Sequence, residues 1–573
     1  MSDTSLTPEG LRLAQPEDAH TQADWEAATA AVLRKSRKLA DDDADALVWD
    51  RLTRPTLDGI GIAPIGTPAD LDTVQTAGRP TRAGAWDIRG HYGHADAKLL
   101  NEHALVDLDG GVTSLWVATA DGADLATTLD EVLLDLAPVV VDSPAPQAAA
   151  QALLAQIEAR GVDPHPATNL GADAASASPE DLVAVARLAL ERGVLGVVVD
   201  ATAVHDRGAS DVQELAASLA IGAGALRTLT EAGLSPADAA SVTEFRYAAT
   251  GEQFPTIAKL RAARRLWARV LELSGAEGVA QRQHAVTSRP MLTKYDPYVN
   301  MLRTTVAAFA AGVGGADAVT VLPFDAPLGQ PDGFGRRIAR NVSHLLIDES
   351  HVAEVADPAG GSYAVEKLTD DMAVAAWELF GRLEDGADLD ALIADVVERR
   401  ETEIAKRKRP ITGLSEFPNL AEVLPERAPL AGTSGDEVRR YGASFEALRD
   451  APAQRPVFLA TLGTIAQHTA RATFATNLFA AGGVAVDVAG PTAGVEELLA
   501  AYQRSGSPVA CLAGTDAAYG EWGAEAAAAL RDAGAQHVII AGKPAEFSDD
   551  ACAMGVDALA FLGRTREQLG EQA

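Results

Sequence analysis

RPVFLATLGTIAQHTARATFATNLFAAGGVAVDVAG, residues 455–490, reads as strand, loop, helix, strand. Residues 457–462 form a short continuous apolar run, the pattern of a strand buried on both faces. A polar loop follows, then a helix running to Ala481, where the pair Gly482-Gly483 stops it. Residues 484–488 are a second strand and 509–513 a third, with helices over 496–504 and 524–533 between and after them. Runs at 538–541 and 558–562 complete an expected five strands. Strand–helix alternation over so short a span predicts a small doubly wound, flavodoxin-like domain over 456–573. Such sheets bind ligands beyond the carboxyl ends of their strands, so the loop 463–469 is where chemistry is to be sought.

Toward the N-terminus, residues 425–455 are rich in Pro, Gly, Ser and charges. They read as an interdomain linker with one short helix at 444–449. From 46 to 424, short apolar runs alternate with longer helical segments. Strands are expected at 114–118, 139–142, 195–200 and 318–322, and helices at 182–192, 211–223 and 257–273. Alternation on this scale predicts a parallel sheet closed into a (β/α)8 TIM barrel. Residues 1–45 are polar and acidic. Within them Trp25, Ala28, Val32 and Leu39 recur at helical spacing, which predicts an amphipathic helix over 25–40. Such a helix must bury its apolar face, either on its own barrel or as an arm around a partner; the arm is the reading taken here.

The chain of 573 residues carries a formal charge of -33. Its basic clusters, Arg264-Arg265 and residues 406–409, have acidic neighbours and read as solvated helix faces, so nucleic acid and anionic membranes are not expected partners. No apolar run is long enough for a membrane span, and MSDTSLTPEG lacks the pattern of a secretory signal. The two cysteines, Cys511 and Cys552, form no CxxC pair, which fits a reducing, cytoplasmic setting. No GxGxxG at a strand–helix turn and no P-loop is present.

Several segments, in order, resemble the coenzyme-B12-dependent acyl-CoA mutases, and methylmalonyl-CoA mutase above all. AKLRAARRLWARV (258–270) and GRRIARNVSHLL (335–346) are similar to helices of that family's barrel. DPAGGSYAVEKLT (357–369) resembles its DPxxGSxxVExLT segment, and HAVTSRP (284–290) its HTQTSG region. RPVFLATLG (455–463) opens the last domain where the family's cobalamin-binding domain opens. Each piece alone is ordinary helix or turn; their order and spacing carry the resemblance.

Within that resemblance the chemistry is missing. Cobalamin-binding members carry Asp-x-His-x-x-Gly after the first strand of the last domain. The His ligates cobalt and the Asp orients it. Here those positions fall on Ile465, Gln467 and Ala470. His468, one residue on, has Ala466 where an orienting carboxylate would stand, and is read as a helix N-terminal or surface histidine. In the barrel, the family's YHMQEAGA-like segment reads TAVHDRGA (202–209), which puts Ala203 at the catalytic His position and His205 at the Gln. The family's PWTxRQYAGF reads AWDIRGHYGH (85–94): Trp86 and Arg89 remain, and His91 stands at the substrate-packing Tyr, with Tyr92 beside it. A Glu that contacts the adenosyl group falls near Ala326.

This pattern of loss resembles the small (beta) subunit of the heterodimeric bacterial enzyme. The resemblance implies no catalytic, cofactor-binding or metal-binding residue in this chain. It implies that adenosylcobalamin and acyl-CoA are bound by a large (alpha) catalytic subunit, which this chain stabilises as a heterodimer. Two alternatives stay open: a mutase active in its own right through another cobalt ligand, and a regulatory chain that binds an acyl-CoA in its barrel.

Overall fold

The computed structural model describes residues 19–72, 74, 78–93, 96–429 and 438–570. The segment read for a secretory signal, His94 of the AWDIRGHYGH stretch, and 430–437 of the expected linker lie outside the described residues.

Eight parallel strands close into a barrel. They are β1 Asp87–Tyr92, β2 Ser114–Ala118, β3 Val139–Asp142, β4 Asn169–Asp173, β5 Leu195–Asp200, β6 Thr243–Ala249, β7 Arg282–Thr287 and β8 Ala318–Thr320. Each pairs with the next, and β8 returns to β1. Helices cover the outside, as parallel strands require. The four strands legible in the sequence stand where expected, except that the last ends at Thr320, leaving Val321 and Leu322 to line the barrel mouth. Of the other four, β1, β6 and β7 carry charged or polar residues at alternate positions. In β4 the register slips between Asn169 and Ala172. Gly171 makes this possible: its φ is +82°, and a Cβ there would stand 1.8 Å from the carbonyl oxygen of Val141.

The second sheet is β9 Val457–Thr461, β10 Val486–Val488, β11 Val509–Ala513, β12 His537–Ala541 and β13 Asp550–Cys552, all parallel, in the order β10-β9-β11-β12-β13. That is the flavodoxin-type order, with its topological switch between β9 and β11. One expectation fails here. The run at 558–562 is the start of helix Ala558–Gln568, and the fifth strand is Asp550–Cys552. Asp557 caps the helix by accepting from the backbone of Ala560, and Phe561, Leu562 and Thr565 fall on one buried face at helical spacing. Both cysteines are buried in this sheet as free thiols.

Residues read as linker are packed down. Arg427 pairs with the buried Asp325, the backbone of Arg439 donates to the carbonyl of Asp206, and that of Tyr441 to Pro290. Helix Ala443–Asp450 buries Phe445 in the apolar cluster that also holds Ile404, Leu414 and one face of the second sheet. At the other end of the chain, helix Gln22–Lys35 starts at a Thr21–Asp24 capping box. Its Ala30 and Leu33 bury against Leu39 and Val48, and Trp25 lies 4.6 Å from Trp49.

The basic clusters are not the solvated helix faces expected. Helix Gln253–Leu273 buries Arg264, which donates to the carbonyls of Gly78 and Gly314, while Arg265 pairs with Asp370. Residues 406–409 form a turn after helix Leu389–Ala405, with Arg407 bound to Glu416 and Arg409 to Glu403. Among the described residues no helix is long and apolar enough to cross a membrane.

Candidate functional site

Strand alternation sends every second residue of the barrel strands inward. The lower layer is ionic. Arg89 of β1 crosses the lumen to Glu244 of β6 at 2.9 Å, both fully buried, with Ser114 and Arg282 completing the layer. Burial opposes ionisation of Glu244, yet Arg89 and Arg282 hold its carboxyl below the usual range. The next layer is a stack on Trp116. The Arg246 guanidinium lies 3.8 Å from its ring centroid, His91 4.1 Å and His284 5.5 Å. Arg246 also binds Asp200 at 2.6 Å and reaches the Nδ1 of His284 at 3.2 Å, while the Trp116 indole donates to Asp142. Burial, reinforced by Arg89 and Arg246, pushes His284 far below the usual histidine range. It is a neutral ring hydrogen-bonded to Thr320 at 2.7 Å. The lumen is therefore filled with paired side chains.

Above this floor, a cleft of about 2360 Å³ opens at the carboxyl ends of the strands, the face that carries active sites in this architecture. Ala203 and Ala326 line it. His205 does not. Its side chain is buried behind the mouth, Nε2 2.7 Å from Ser288 Oγ and Nδ1 3.3 Å from Glu214 Oε2, the latter off the line of a hydrogen bond. Glu214 in turn accepts from Lys259 Nζ at 2.6 Å and from the backbone of Ala248 at 2.7 Å. The alternation of β1 also separates His91 from Tyr92. His91 faces the lumen on Trp116, while the Tyr92 hydroxyl points outward to Asp107 at 3.2 Å, which Arg340 binds from the neighbouring helix at 2.6 Å. The cations at the mouth are paired: Arg289 with Asp206, Arg336 and Arg340 with Asp107, Arg439 with Glu401.

In the second sheet, β9 ends at Thr461; Gly463, whose φ is +85°, follows in the loop, and helix Ile465–Ala481 begins two residues after it. Thr464 and Gln467 make a capping box: the Gln467 side-chain oxygen accepts from the Thr464 backbone at 2.8 Å and from its hydroxyl at 2.9 Å. Ile465 is exposed, and His468 is buried in the first turn with Nδ1 3.3 Å from the carbonyl of Gly463. Among the described residues no group of three or more His, Cys, Asp and Glu side chains is arranged to hold a metal ion.

Residues 192–502 match the methylmalonyl-CoA mutase family. Over 99% of this chain and 100% of its own length, the methylmalonyl-CoA mutase small subunit of Streptomyces virginiae is 45% identical. The chain belongs to the methylmalonyl-CoA mutase family. The small subunit of Propionibacterium freudenreichii subsp. shermanii is 36% identical over 99% of this chain and 97% of its own length. A probable small subunit of Mycobacterium bovis is 40% identical over 92% and 93%. In this member of the mutase family, then, an alanine faces the barrel cleft at position 203 and a glutamine caps the helix at 467. The residues that sequence reading missed are those filling the lumen, Trp116, Glu244, Arg246 and His284. For Glu244, Arg246 and His284 the signal was present as polar residues at every second position of EFRYA and RQHAV, a pattern that suits a strand with a polar inner face.

Proposed function

We propose that this chain is the non-catalytic small subunit of a heterodimeric, adenosylcobalamin-dependent methylmalonyl-CoA mutase of the cytoplasm, acting in propionate metabolism. The complex interconverts methylmalonyl-CoA and succinyl-CoA. The large subunit holds the cofactor, which supplies the radical chemistry, and this chain stabilises that subunit.

The observation that carries the reading is Gln467. A cobalt ligand at this place needs an imidazole and a carboxylate to orient it. The residue here is an amide committed to its own helix cap, and Ile465 stands at the carboxylate position. The residues present therefore do not fit cobalamin. The barrel agrees: Ala203 has no proton to exchange, His205 is turned away from the cleft, and the lumen is packed with ion pairs. Paired arginines at the mouth also give no support to an acyl-CoA regulatory site. Helix Gln22–Lys35, whose buried neighbours are residues 39–52 in a cluster apart from the barrel core, suits an arm laid on the partner.

The test is an absorbance spectrum after incubation with adenosylcobalamin and desalting, for the chain alone and together with the large subunit. Corrin absorbance and mutase activity are expected only with the large subunit. Stoichiometric corrinoid on the isolated chain would overturn the proposal.

A further inference from the structure

Doubly wound sheets take ligands in the crevice where the strand order reverses, between the loops that follow the two strands at the switch. In the second sheet those strands are β9 and β11, paired from Phe458–Ala510 to Thr461–Ala513. Arg471, in the second turn of helix Ile465–Ala481, joins the two loops. It donates to the Gly514 carbonyl just past β11 at 2.8 Å and pairs with Asp516. Its guanidinium lies 4.9 Å from the ring centroid of Tyr519. The Tyr519 hydroxyl accepts from the Gly514 backbone at 3.0 Å and donates to the Ala541 carbonyl at the end of β12 at 2.9 Å. A Cβ on Gly542 would stand 3.4 Å from the guanidinium carbon. One side chain from the helix after β9 thus covers the carboxyl ends of β11 and β12. On the other side of β9, Gly463 and Thr492 exchange both backbone hydrogen bonds, at 3.1 and 3.2 Å.

Held from both sides, the chain after Thr464 enters the helix at once. Of residues 464–470 only His468 is buried. On a helix, positions 465 and 467 point about 200° apart. A carboxylate at one and an imidazole at the other do not face each other, so they could not act as orienter and cobalt ligand while this turn is formed. The mismatch with cobalamin therefore lies in the backbone as well as in the letters.

Resting on the small-subunit reading above, we infer that Arg471 is a seal: it closes the ligand crevice of the second domain and pins the first turns of helix Ile465–Ala481, so that putting back Asp-x-His-x-x-Gly does not restore a cobalamin site. Anything entering the crevice has first to break the charge-assisted bonds of Arg471. One such bond corresponds to about tenfold or more in affinity.

The experiment is equilibrium dialysis of the full chain against adenosylcobalamin, read by corrin absorbance. It compares wild type, the variant Ile465→Asp/Gln467→His/Ala470→Gly, and that variant with Arg471→Ala added. The Arg471 side chain is 30% exposed, so the fold is expected to survive its loss, as checked by thermal melts in circular dichroism; Arg471→Gln stands in should the alanine variant unfold. Wild type is expected to bind no corrinoid, and the motif variant to bind at least about tenfold more weakly than its Arg471→Ala derivative. That difference supports the seal. Equal binding by the motif variant with and without Arg471 overturns it, because the loss is then one of letters alone. No binding by either also overturns it, because the barrier then lies elsewhere. Both results leave the small-subunit reading standing, whereas stoichiometric corrinoid on wild type overturns that reading itself.

Discussion

Glu214 gives the sharpest distinction between a packed barrel and a working one. Its side chain is fully buried, and it holds two groups in place: Lys259 and the backbone amide of Ala248. Burial opposes the charge on Lys259, but Asp211 at 2.8 Å and Glu214 hold its ammonium above the usual lysine range. Glu214→Ala leaves that buried ammonium with one partner, Asp211, whose side chain is partly exposed, and leaves the Ala248 N–H without an acceptor. Breaking a buried pair from one side costs about 3–5 kcal/mol. Glu214→Gln keeps an oxygen for the Ala248 amide and loses only the charge-assisted bond, about 1.5–3 kcal/mol. The assay is urea unfolding of the isolated chain followed by tryptophan fluorescence, with the two variants falling in that order. The same proteins are then assembled with the large subunit at saturating concentration. If this barrel is structural, kcat per heterodimer is unchanged once the complex has formed. A loss of stability under about 1 kcal/mol for Glu214→Ala would refute the ionic account of the packing. A fall in kcat for Glu214→Gln with the heterodimer intact would refute the claim that this chain takes no part in the chemistry.

Asp58 gives a pH-dependent prediction. Burial pushes its carboxyl up to about 6 from the usual 3.8, against the hydrogen bond from Ser210. Between those values the folded state binds more protons than the unfolded one, so this group's contribution to stability falls as pH rises from about 4 to 6. Asp58→Asn is expected to remove that slope and to raise stability at pH 7 by up to about 3 kcal/mol, with the gain vanishing near pH 4; urea midpoints that run parallel across this range for both proteins would count against it. Deletion of residues 1–40 tests the arm. It removes Trp25 and the helix Gln22–Lys35, and the heterodimer is expected to dissociate at lower dilution in size-exclusion chromatography; an unchanged profile would sink the arm.

What could be read from the sequence, and what could not, follows from where polar residues lie. The second sheet was legible because VFLAT and VACLA are apolar on both faces and glycines end the helices between them. Its fifth strand was not, because three residues, DAC, carry no period, while the apolar run that follows them has the composition of either element until Asp557 is recognised as a cap. Three barrel strands, β1, β6 and β7, were hidden for the opposite reason. Arg89, Glu244, Arg246 and His284 occupy inward positions that in an apolar barrel would read as Val or Leu, and an arginine in a strand looks like a break until its glutamate is found across the lumen. The altered positions were legible residue by residue, since Ala203 or Gln467 where the family resemblance implies a histidine is a single letter in a known frame. Whether a neighbour could stand in was not. Tyr92 and His468 lie one position from the family's residues, and only the strand and helix that carry them show that Tyr92 turns outward to Asp107 and His468 back to Gly463. A side chain on a strand cannot be moved by one residue without changing faces. The same rule that concealed the polar strands therefore sets Tyr92 on the opposite face of β1 from His91.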